Sequence, residues 1–205
     1  MVTTIKSMIT DYFNDVWPII IIITVITCSL RIAYLIKNKQ KFCFYKELFM
    51  LIFILYVMCL FEVVTIQDNN YGLSNYIPFR EIFRYELMST SFIKQVIGNI
   101  ILFIPLGYFV SYYCKLKGIV GITIVSLLSS VTIEIVQHFI GRSVDIDDII
   151  LNVTGGIIGF IFYKLFKKIN EKLPNFMKKK WFYNLLSVII ILLIGLYLAN
   201  TLWGL

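Results

Sequence analysis

The chain has 205 residues, of which 59% are hydrophobic and only 15% charged, with a mean hydropathy of +0.84 and a formal net charge of +7. A soluble domain sits nearer half apolar and a quarter charged, so this composition tells against a soluble enzyme, a disordered chain and a collagen-like repeat. The positive balance is no sign of nucleic-acid binding either, because the basic residues concentrate in particular connecting segments, where membrane topology accounts for them.

Six apolar runs follow one another, at roughly 16–36, 47–66, 91–114, 118–140, 149–166 and 184–203, each close to the ~20 residues that cross a bilayer as a helix. A helix satisfies its own backbone groups in lipid. The predicted fold is therefore all-α, a polytopic integral membrane bundle of about six transmembrane helices. Three regions are expected: residues 1–46, with the first span and a basic loop; 47–166, a membrane core; and 167–205, a Lys-rich loop and the last span. Asp11 and Asp15 precede the first run and no A-x-A site follows it, so a cleavable signal peptide is not expected. Cys28, Cys43, Cys59 and Cys114 are scattered, without C-x-x-C or metal spacing, which predicts no disulfide framework.

The connecting segments alternate in charge. The first carries Lys37, Lys39, Lys41 and Lys46, the third Lys115 and Lys117, and the fifth Lys164, Lys167, Lys168, Lys172, Lys178, Lys179 and Lys180. The second sets Arg80 and Arg84 against Asp68, Glu81 and Glu86; the fourth sets Arg142 against Asp145, Asp147 and Asp148. The positive-inside rule places the odd-numbered segments in the cytoplasm and the other two, with both termini, outside. In the second, Pro78 can start a helix that puts Phe79, Ile82, Phe83 and Leu87 on one side, as an element lying at the interface. In the third run, Pro105 removes a backbone hydrogen bond near Gly107.

Polar side chains inside a membrane are expensive, so their placement carries information. Thr123, Ser126, Ser130, Glu134, Gln137 and Gly141 fall on one stripe of the fourth run, and Asp148, Asn152, Gly155, Gly156, Gly159 and Tyr163 on one stripe of the fifth. Gln95 and Asn99 stand one turn apart in the third, and Glu62 lies near the end of the second. With a rise of ~1.5 Å per residue, Asn99, Glu134, Gln137, Arg142, Asp145, Asp148 and Asn152 share one depth, expected in the outer leaflet. Plainer roles stand beside this reading. The serines and glycines suit a close-packing seam of small-xxx-small form. Asp145 and Asp148 are spaced like an N-cap and its N3 partner, and Gly141 suits a helix C′ position followed by Arg142. Glu134 is harder to explain as packing, since it must be protonated, paired or facing a wet cavity. His138 is the single histidine and lacks a companion ligand, so neither a metal nor another cofactor is expected.

The ordered set Glu134-Ile-Val-Gln137, Gly141-Arg142, Asp145, Asp148, Asn152, Gly156 and Gly159 resembles the E-x-x-Q…R-x-x-D-x-x-D-x-x-x-N-x-x-G-x-x-G signature of the VanZ-like family of bacterial membrane proteins. Upstream, Asn75-Tyr-Ile-Pro78-Phe79, followed by Arg80, resembles its N-x-x-P-F segment, and Asn99 through Phe103 and Pro105 to Gly107 its N-x-x-x-F-x-P-x-G helix. The resemblance covers about residues 50–165. It implies a multi-pass protein of the bacterial plasma membrane associated with resistance to lipid-tailed glycopeptide antibiotics such as teicoplanin, or with envelope homeostasis. The partners it implies are membrane lipids and a lipoglycopeptide or lipid-linked envelope precursor. Three other classes stay open from the residues alone: a membrane enzyme using carboxylates and an arginine on a lipid or polyprenyl-phosphate substrate, a lipid transporter, for which six spans could pair as a homodimer, and a purely structural or partner-binding protein.

Overall fold

The computed structural model describes residues 2–66, 74–86 and 89–203. Among these the regular structure is helical, and pairing in the manner of strands is confined to one isolated parallel bridge between Asn75 and Asp145. Among the described residues six helices are long and apolar enough to cross a membrane, with spans at Trp17–Lys37, Phe44–Glu62, Thr90–Cys114, Ile119–Phe139, Ile146–Lys172 and Lys180–Tyr197. The all-α polytopic architecture is thus as expected, although the fifth span begins earlier and ends later than the run of apolar residues that announced it.

The chain divides into two compact units. The first joins residues 1–55 to 174–205 and contains α1 (Val2–Lys37), the first half of α2 (Phe44–Ile66) and α8 (Lys180–Trp203). A charge in this apolar setting needs a partner. Arg31 finds one in Glu47, donating through Nε (2.6 Å) and Nη2 (3.2 Å) to the two carboxylate oxygens. The Tyr45 amide donates to Asn184 Oδ1 (3.1 Å), tying the start of α2 to α8.

The second unit, residues 56–173, holds the end of α2, the short helices α3 (Arg80–Arg84) and α4 (Thr90–Phe92), and the long helices α5 (Gly98–Cys114), α6 (Ile119–Phe139) and α7 (Ile146–Lys172). A single π-helical turn, Ile93–Ile97, links α4 to α5 without a break, and Pro105 lies inside the continuous α5. The core of this unit is a seam of small residues. A Cβ on Gly155 would strike the Ile100 carbonyl, one on Gly159 the Ile104 carbonyl, and one on Gly107 the Gly156 carbonyl. The backbones of α5 and α7 therefore lie as close as two helices can, which only glycine permits. Ser126 of α6 enters the notch left by Gly156. Phe103, Ile122, Ser111, Ser126 and Ser130 are almost wholly enclosed around this seam, with Phe160 and Tyr163 closing it further along α7.

The segment after α2 differs from its prediction. The helix starts at Arg80 rather than Pro78, because Phe79 adopts φ 67°, ψ 2°, a left-handed conformation that a bulky residue holds only when its surroundings enforce it. Ile82 is half-buried, while Phe83 is 83% exposed, its ring tilted beside that of Phe79 with centroids 6.4 Å apart. Asp68 and Leu87 lie outside the described residues.

Candidate functional site

The turn between α6 and α7 is where the site begins. α6 ends in a Schellman motif: the Gly141 amide, at φ 85°, donates to the His138 carbonyl (3.1 Å) and the Arg142 amide to the Gln137 carbonyl (2.9 Å). This closure folds Arg142 back over its own helix end. With the Gln137 amide turned so that its nitrogen faces Glu134, Nε2 donates to Glu134 Oε1 (3.3 Å) and Oε1 accepts from Arg142 Nη1 (2.9 Å). Three of the predicted residues thus form one chain, carboxylate to amide to guanidinium.

Asp145 is the N-cap of α7, its carboxylate accepting from the Asp147 amide (2.9 Å). The expected reciprocal contact from Asp148 is not made. Glu134 Oε2 takes the Asp145 amide instead (2.9 Å), so a carboxylate from the preceding helix completes the box. Asp148, released from that task, accepts from Asn99 Nδ2 on α5. Asn152, one turn further, donates to Ser130 Oγ on α6 (2.9 Å), while its Oδ1 is buried with no partner among the described residues. Burial raises the Asp145 carboxyl above the ordinary aspartate range, against the lowering pull of the Asp147 amide and the Asn75 side chain.

A cavity of about 30 Å³ lies among these groups, lined by Asn99, Glu134, Gln137, Arg142, Asp148 and Asn152 together with Gln95, Leu60, Leu102, Phe103 and Ile133. Its lining is mainly polar, and its size suits one or two waters rather than a sugar or a headgroup. A second small cavity, about 20 Å³, shares Gln95 and Asp148 with it and reaches Glu81, Tyr85 and Asp145 under α3. Beside the first cavity runs an apolar groove of about 460 Å³, lined by Val57, Leu60, Phe61, Leu106, Leu128, Thr132, Ile133 and Val136 among others; Leu60 and Ile133 border both.

The remaining predicted residues separate by role. Asn75 is buried and stitched to the α6–α7 turn: its amide nitrogen donates to Asp145 Oδ1 (3.0 Å), its backbone pairs with Val144 and Ile146, and its Oδ1 accepts from the Ile77 amide (3.1 Å). Pro78 and Phe79 form the turn above α7, whereas Arg80 is exposed there. Gly156 and Gly159 do not line the polar cavity but build the seam beneath it.

Three residues matter here that sequence reasoning left out of the site. Asp147, 1% exposed, accepts from the backbone amides of Phe79, Glu81 (2.8 Å) and Ile82 (3.3 Å), so α7 caps the start of α3 across 65 to 68 residues of chain. Its acidity in a helix first turn offered an ordinary explanation and hid this role. Gln95, in the π-helical turn and four residues before Asn99, borders both cavities. Ser130 holds Asn152. Among the described residues no group of three His, Cys, Asp or Glu side chains is arranged to hold a metal ion.

The profile of the VanZ/LLP1 family matches residues 47–167. Protein VanZ of Enterococcus faecium is 35% identical over 86 residues, an alignment covering 41% of this chain and 53% of that protein, so the chain spans about half the length of this curated relative. No solved structure matches the chain.

Proposed function

The chain belongs to the VanZ/LLP1 family, and on that premise we propose that it lowers sensitivity to lipid-tailed glycopeptide antibiotics of the teicoplanin type, or sustains the envelope they attack, through an amphiphile-binding site in the outer leaflet of a bacterial plasma membrane. One observation carries this reading: a polar cavity and an apolar groove of about 460 Å³ meet at Leu60 and Ile133. The groove is of the size that ligand pockets have. The cavity admits water but no sugar ring, so the acyl tail takes the groove while the polar part stays at the rim, where Arg142 offers its fork to an anionic group. Glu134 and Gln137 fix the guanidinium there.

The loop charges support the sidedness. The ends of the helices opposite this site carry lysines, as cytoplasmic segments do.

The test is tolerance in a susceptible host. Glu134→Gln and Arg142→Ala are expected to abolish protection against teicoplanin at an unchanged membrane level of the protein. If both variants protect as well as the parent, the assignment of the site is wrong.

A further inference from the structure

The far end of the α5–α7 pair holds a second cleft of different chemistry. It is about 530 Å³ and is lined by Tyr108, Tyr112, Tyr113 and Lys115 from the end of α5 and by Tyr163 and Lys167, with two neighbours, from α7. Fifteen residues separate Asn152 from Lys167 on α7, which is ~22 Å along the helix. The cleft therefore sits near the other face of a hydrocarbon layer ~30 Å thick.

We propose that this cleft binds the headgroup of an anionic phospholipid at the Lys-rich face of the membrane. Among the described residues two cations and no acid line it. Lys115 and Lys167 are both exposed, whereas Lys164 is drawn away from the cleft, its amine donating to the Lys117 carbonyl (3.0 Å) and lying over the Phe160 ring. The tyrosines give the cleft amphipathic walls of the kind that sit at headgroup level. Tyr108 packs edge-on against Tyr163 (6.4 Å) and Phe166 (5.9 Å). Lys115 ends α5 at φ 50°, a left-handed position where glycine is the easier residue. The cleft exceeds the volume of a phosphate, which leaves room for the glycerol and the first carbons of the acyl chains.

The experiment uses the full chain in mild detergent, offered equal amounts of phosphatidylglycerol and phosphatidylcholine, with bound lipid counted by native mass spectrometry. The parent is expected to retain one phosphatidylglycerol in clear preference. Lys115→Gly with Lys167→Gln removes both charges while easing the α5 cap, and is expected to cut the preference about tenfold or more, from the weight each basic residue carries near an anionic surface. Lys115→Arg with Lys167→Arg should keep it. Replacing Lys178, Lys179 and Lys180 with Gln serves as the control and should change it little. A loss in that control with none in the cleft variant would overturn the proposal in favour of diffuse attraction. Displacement of the lipid by millimolar inorganic phosphate would overturn it in favour of a soluble anion.

Discussion

Asp147 makes the sharpest prediction. Its carboxylate is the acceptor for three backbone amides, those of Phe79, Glu81 and Ile82, and it is almost fully enclosed. Asp147→Ala leaves all three donors without their acceptor. Hydrogen bonds to a charged group contribute about 1.5–3 kcal/mol each when buried. The 74–86 segment can turn toward water once released, so roughly 1 kcal/mol per bond is the appropriate scale, about 3 kcal/mol in all. That is a hundredfold or so in the equilibrium for local opening. Asp147→Asn keeps one oxygen, enough for Glu81 and Ile82, but presents an NH₂ to the Phe79 amide; about tenfold is expected. Hydrogen exchange read by mass spectrometry on peptides covering 74–86 measures this directly, with α5 peptides as the internal reference. Unchanged protection in Asp147→Ala would refute the cap. An equal loss in α5 would show instead that the whole unit had been destabilised.

Gly159→Ala places a methyl group against the Ile104 carbonyl and the Tyr108 amide, backbone atoms that cannot yield unless α5 and α7 part. The melting temperature should fall by the equivalent of about 1–3 kcal/mol, whereas Gly195→Ala, with nothing within 4 Å, should not lower it. Asp145 gives a pH effect. Its folded pKa is raised, so the folded state binds the proton more tightly, and stability falls as pH rises from the unfolded value of about 3.9 through the folded one. Relative to Asp145→Asn, which stays neutral and keeps an acceptor, the parent should gain in melting temperature on acidification through that window; a pH-independent difference would contradict it. Finally, in a background where the four native cysteines are replaced by serine, cysteines at positions 80 and 143 should react with an impermeant reagent on intact cells. Reaction only after lysis would place the polar site on the cytoplasmic side.

Much of this protein is written locally. The six spans follow from the length of each apolar run, because in lipid a helix is the structure that satisfies its backbone within itself. Gly141 and Asp145 could be assigned as caps from their neighbours alone, and helical periodicity gathered Ser126, Ser130, Glu134 and Gln137 onto one face, which the structure buries. What periodicity cannot supply is which of the facing groups pair. That depends on rotations and shifts of a few ångströms, set here by the glycine seam between α5 and α7. So the sequence placed Asn99, Glu134 and Asp148 at one depth. Only the tertiary structure decided that Glu134 completes the cap of α7, that Asp148 turns to Asn99, and that Asp147 reaches 65 residues or more back to hold Phe79, Glu81 and Ile82. Hydrogen bonds between distant segments are fixed by how close the backbones can come, and that distance is a property of the packed helices rather than of any one of them.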